Sequence, residues 1–183
     1  MRTRTVIGSL VSAALVLVFA TPAAAQDPQP VTVSGGLSFF HFNDCDGCTE
    51  VGVRAEVAKI IRPMNNGGVA IAGELGWTGG DFGSTLTLGA GPRYVVPMAN
   101  SNVRPYVHVL LGLARYTFED DFFDPSNNFF VSPGGGVTFP LNDRVDVFGQ
   151  IDIMMIRGED VFGDSFTDKG QRFTFGVSFA LGQ

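Results

Sequence analysis

From Val31 onward the chain alternates apolar and polar side chains with a period of two, broken by proline-led or acidic interruptions. A period of two marks strands with unlike faces, because successive side chains leave opposite sides of the pleat. Eight such segments predict strands at Val31–Phe42, Glu50–Ile61, Val69–Thr78, Thr85–Val96, Val103–Thr117, Phe129–Phe139, Arg144–Ile156 and Arg172–Leu181. In the second, Val51, Val53, Ala55 and Val57 oppose Glu50, Gly52, Arg54 and Glu56. In the last, Phe173, Phe175, Val177, Phe179 and Leu181 oppose Arg172, Thr174, Gly176 and Ser178. Segments of about ten residues or more are long enough for a tilted strand to cross a bilayer.

The breaks carry a second regularity. Those after strands two, four and six are short and begin with proline: Pro63-Met64-Asn65-Asn66-Gly67, Pro97-Met98-Ala99-Asn100-Ser101 and Pro140-Leu141-Asn142-Asp143. The others include the long acidic stretches Glu119 to Asn128 and Arg157 to Gly170. Short turns at one end and long loops at the other predict an all-β fold, an eight-stranded antiparallel up-and-down transmembrane barrel. Its even strand number puts both termini on the periplasmic side.

A soluble barrel would also alternate, so the polar face arbitrates. In a soluble barrel the apolar face is the core and the other face is wet, rich in Lys, Glu, Ser and Thr. Here the non-apolar face is mostly small residues with a few charges of both signs: Arg54, Glu56, Glu74, Arg93, Arg104, Asp146, Asp152 and Arg172. Small side chains let a narrow barrel close, and opposite charges can pair inside it. These eight residues are therefore expected to form a lumenal charge network, with lipid outside.

The first residues add a compartment. Arg2 and Arg4 precede an apolar run from Val6 to Ala20, and Ala23-Ala24-Ala25 supplies a small-residue cleavage pattern. Residues 1–25 read as a signal peptide and 26–183 as the barrel domain. The run is short for a membrane-spanning helix. The formal charge is −6, and losing Arg2 and Arg4 takes it to −8. Mean hydropathy is +0.21. With 24 Gly and 17 Phe the composition favours strands and turns over helices. No basic patch meets nucleic-acid phosphates.

Candidate chemistry is sparse. Cys45 and Cys48, in Cys45-Asp46-Gly47-Cys48, are expected to form a local disulfide in an oxidising compartment. Metal ligation there is short of ligands, and a redox motif would need a βαβ context. Asp44, Asp46, Glu50, Asp81, Glu119, Asp120, Asp121, Asp124, Glu159, Asp160, Asp164 and Asp168 lie at or between the expected outer strand ends. Carboxylates suit divalent cations, but no recognisable ligand spacing appears, and a solvated rim is the simpler reading. Asp120, Asp121, Phe122, Phe123 and Asp124 are contact candidates, since exposed aromatics suit a partner or the membrane interface. His41 at a strand end and His108 in mid-strand have no serine or carboxylate at a catalytic spacing. No catalytic, cofactor or metal residue is assigned.

The stretches Leu88-Gly89-Ala90-Gly91-Pro92-Arg93-Tyr94, Val103-Arg104-Pro105-Tyr106-Val107 and Gln150-Ile151-Asp152 resemble the small bacterial outer-membrane protein β-barrel family of OmpA/OmpX type. The resemblance implies an outer-membrane location, lipids as surroundings and a monomer. Together these readings favour a non-enzymatic scaffold with a filled lumen, its acidic loops meeting a surface partner or divalent cations. A narrow channel and a lipid A-modifying enzyme are the alternatives. The intact mass of the envelope protein should match a chain beginning at Gln26; a mass retaining Met1–Ala25 would contradict cleavage.

Overall fold

The computed structural model describes residues 31–43, 48–64, 67–80, 83–96, 103–118, 126–159 and 165–181. The expected signal peptide, residues 1–25, lies outside the described residues. Eight strands follow one another: β1 Val31–Phe42, β2 Thr49–Met64, β3 Gly67–Gly80, β4 Gly83–Val95, β5 Arg104–Phe118, β6 Ser126–Pro140, β7 Val145–Glu159 and β8 Ser165–Leu181. Each pairs antiparallel with the next, and β1 closes on β8 from Val31↔Leu181 to Phe42↔Gly170. The result is a closed up-and-down barrel without a sheet edge. Closure is what permits strands in hydrocarbon, where an unpaired backbone N–H or C=O has no water to bond. No helix among the described residues is long and apolar enough to cross a membrane.

The wall is inverted relative to a water-soluble barrel. Large apolar side chains point outward and are exposed, among them Leu75, Leu111, Leu113, Ile153, Phe173 and Phe175. The inner face buries Arg54, Glu56, Glu74, Arg93, His108, Asp152 and Arg172 together with Ser, Thr and Gln. An apolar band wrapping the whole wall is a surface for lipid chains. Trp77, Tyr94 and Phe173 contribute exposed aromatic rings to it.

Several strands run further than alternation alone indicates. β8 begins at Ser165 rather than Arg172, β7 ends at Glu159 rather than Ile156, and β6 begins at Ser126 rather than Phe129. The loop expected over Arg157 to Gly170 is thus largely ladder, from Arg157↔Thr167 to Glu159↔Ser165. Beyond the bilayer both faces of a strand are wet. Backbone pairing then continues without the apolar–polar contrast that marks it in sequence.

Between β6 and β7 the turn is fixed locally. The Asn142 Oδ1 accepts the backbone N–H of Arg144 and of Val145, each at 2.9 Å. Such a side-chain-closed turn is a standard role for asparagine. Proline interrupts two ladders. Pairing between β4 and β5 skips from Ala90↔Leu111 to Arg93↔His108 around Pro92, and between β6 and β7 from Val131↔Met155 to Gly134↔Asp152 around Pro133.

Leu111, outward at the middle of β5 and 47% exposed, tests the lipid-facing assignment. Leu111→Arg should destabilise the protein by about 2–4 kcal/mol in lipid vesicles, read by denaturant unfolding. A change within about 0.5 kcal/mol, as for an ordinary wet surface site, would contradict a membrane wall.

Candidate functional site

Strand parity sends Arg54 and Glu56 of β2, Glu74 of β3, Arg93 of β4, Asp152 of β7 and Arg172 of β8 into the lumen, where all six are buried. Glu56 and Glu74 face each other directly across β2 and β3. Like charges so placed repel, and arginines resolve it. Arg54 reaches Glu56 at 2.7 Å and, through Nε, Glu74 at 2.6 Å. Arg93 holds Glu56 bidentately, with both contacts at 2.6 Å. Arg172 donates to both Glu74 oxygens at 2.9 and 2.7 Å, and to Asp152 Oδ2 at 3.1 Å. Three guanidinium groups therefore neutralise three carboxylates. A buried charge is tolerated when it is paired and hydrogen-bonded in this way, and costly when one partner is removed.

On the other side of the lumen β6 contributes no charge, and its glycines explain how β5 meets β7. His108 pairs in register with Gly134, which pairs with Asp152. With no side chain between them, His108 Nε2 lies 2.7 Å from Asp152 Oδ1. A Cβ at Gly134 would collide with Asp152 Oδ1 and lie 2.9 Å from His108 Nε2. The same device recurs one step on: Tyr106 reaches over Gly136 and donates to Gln150 Oε1 at 2.7 Å. Gln150 in turn donates to Asp152 at 2.8 and 3.0 Å. The Arg93 guanidinium stacks 4.1 Å over the Tyr106 ring.

Toward the outer end the network is covered by an apolar layer of Phe40, Leu110, Ala114, Phe130, Met154 and Ile156, all buried. Between this layer and Thr78, Thr85, Thr87 and Arg172 remains a small void of about 10 Å³, room for about one water. Toward the periplasmic end the lumen widens to a cavity of about 310 Å³, lined by residues including Ser34, Glu56, Arg93, Arg104, Asp146 and Ser178.

The eight charged residues singled out in the sequence thus fall into two groups. Arg54, Glu56, Glu74, Arg93, Asp152 and Arg172 are joined through shared partners. Arg104 and Asp146 form a separate 2.6 Å pair at the cavity mouth, where the Arg104 side chain is 47% exposed. His108, expected to lack a carboxylate at a useful spacing, has Asp152; strand separation, not sequence spacing, decides that contact. His41 is exposed on the outer face, with Nδ1 3.2 Å from Thr49 Oγ1, so the two histidines never converge. Glu50, grouped with the rim acids, instead points inward and accepts from Thr78 at 2.6 Å and Thr85 at 3.0 Å. Asp168, opposite the buried Ile156, likewise lies on the inward-facing side of its strand. Asp120, Asp121, Phe122, Phe123, Asp124 and Cys45 lie outside the described residues. No cluster of three or more His, Cys, Asp or Glu among the described residues could hold a metal ion.

The family model for the outer membrane protein beta-barrel domain matches residues 11–183. The chain belongs to that family. It is accordingly a protein of the bacterial outer membrane. Among solved structures, Neisserial surface protein A is 15% identical with a TM-score of 0.64, covering 81% of this chain and 96% of its own. The N-terminal β-barrel domain of Pseudomonas aeruginosa OprF is 14% identical with a TM-score of 0.57, covering 85% and 100%. Ail, the attachment invasion locus protein of Yersinia pestis, is 12% identical with a TM-score of 0.56, covering 84% and 99%. At such identities the likeness is one of fold. No curated protein matches the chain.

For this barrel the two charge groups should respond differently to deletion. Arg172→Met should cost about 3–5 kcal/mol of unfolding free energy by leaving Glu74 and Asp152 underpaired. Arg104→Met should cost about 1 kcal/mol or less, as for exposed pairs. Equal losses in denaturant titrations would contradict the separation of the groups.

Proposed function

We propose that the protein is a non-enzymatic, non-conducting outer-membrane scaffold, a monomer whose outer loops make contacts at the cell surface. The observation that carries this reading is the filled lumen: a charge-neutralised ion network under an apolar layer of Phe40, Leu110, Phe130, Met154 and Ile156. An eight-stranded barrel is just wide enough for side chains to fill, so an aqueous channel would require both layers to move. The 310 Å³ periplasmic cavity stops at Glu56, Arg93 and Tyr106 and does not change that requirement. His108 and Asp152 have fully buried side chains, which fits a structural pair rather than a lipid A-modifying site.

The surface role is supported by the acidic and aromatic residues between the strands. Asp120, Asp121 and Asp124 surround Phe122 and Phe123 between β5 and β6, and a Cys45–Cys48 disulfide would tighten the loop after β1. Ail is known bound to the heparin analogue sucrose octasulfate. Acidic loops would repel such a polyanion, so this chain suits a cationic surface or one bridged by divalent cations.

Planar-bilayer recordings on the refolded mature protein should show no steady single-channel steps. Reproducible steps that grow when Phe130→Ala and Met154→Ala thin the apolar layer would replace the scaffold reading with a channel. Acyl loss from lipopolysaccharide that disappears in His108→Ala would replace it with an enzyme.

A further inference from the structure

We propose that the outer surface of β5, β7 and β8 carries a docking site for the phosphate groups of outer-leaflet glycolipids, formed by Arg115, Arg157 and Lys169. All three side chains point outward at the outer ends of their strands and are exposed. None forms an ion pair with a described residue. The register sets their spacing. Arg157 pairs with Thr167 and Lys169 with Met155, so the two are diagonal neighbours about 7–8 Å apart. Arg157 pairs with Phe129, and Phe129 with Leu113, two residues from Arg115. Two strand spacings and two residues along the strand put Arg115 roughly 12 Å from Arg157 at the backbone. Long flexible side chains on such a triangle can meet two phosphates of one headgroup.

What lies around the three cations points to a lipid rather than a soluble anion. Next to Arg115 on β5 is Leu113 (58% exposed), beside Arg157 on β6 is Phe129 (49%), and further along β7 is Ile153 (52%), an apolar bed for acyl chains. The site is also one-sided: the described outward residues at the outer ends of β1 to β4, among them His41, Thr49, Val51, Trp77, Ser84 and Leu86, include no Lys or Arg. In a chain of net charge −6 whose buried arginines Arg54, Arg93 and Arg172 are paired inside the lumen, three outward cations gathered at the outer end complement an anionic leaflet. This site is independent of the loops and of whether the lumen conducts.

The test is native mass spectrometry of the full-length mature protein in detergent, with EDTA present so that metal bridging is absent. The probes are deep-rough lipopolysaccharide and the same lipid after phosphatase treatment. The wild type should hold the phosphorylated lipid on the order of 100-fold more tightly than the dephosphorylated one. Arg115→Gln, Arg157→Gln and Lys169→Gln combined should abolish that preference, while Lys59→Gln at the inner end should leave it intact. Folding is read by heat-dependent gel migration. Should the triple variant fail to fold, each single variant should lower the preference about fivefold. A wild type that binds both lipids alike, or folded variants that bind as the wild type does, would overturn the proposal.

Discussion

Three arginines and three carboxylates are buried against one another in the waist of a narrow barrel, and that constraint organises the rest of the molecule. Lipid outside forces polar groups inward, because outward positions within the hydrocarbon must be apolar. The β2–β3 register sets Glu56 and Glu74 face to face, and Arg54, Arg93 and Arg172 together make that arrangement tolerable. Removing any one of them leaves a buried carboxylate underpaired. The charges are thus coupled across β2, β3, β4, β7 and β8, which ties strands distant in sequence into one unit.

Glycine supplies the complementary half of the design. A filled eight-stranded barrel needs positions where a side chain from one strand passes over its neighbour. Gly134 and Gly136 provide two such passages, giving His108 its Asp152 and Tyr106 its Gln150. Gly89 provides another, since a Cβ there would lie 2.6 Å from the Phe130 ring. The apolar layer and the ion network are therefore stacked rather than mixed.

Much of this was legible in the alternation of Val51, Val53 and Val57 with Arg54 and Glu56, or of Phe173 and Phe175 with Arg172. Strand identity and facing follow from period two wherever lipid and lumen differ sharply. The signal fades where that contrast does. Thr167, Asp168 and Lys169 continue β8 past the membrane, and nothing in their polarity distinguishes ladder from loop. Partner choice was harder still. That Arg104 stands apart with Asp146, or that His108 meets Asp152 across 44 residues, depends on register and on a glycine strand lying between. Inward parity plus the Gly134-Gly135-Gly136 run is the one sequence signal that could have suggested the second contact.

The sealed waist can be tested without altering a residue, through the side-chain N–H exchange of Arg54 and Arg172 measured by NMR in lipid nanodiscs. Guanidinium protons held in a buried, charge-neutralised network should exchange with solvent far more slowly than those of Arg104 at the cavity mouth. Exchange of Arg54 and Arg172 as fast as that of Arg104 would mean that water reaches the waist, and would contradict a closed lumen.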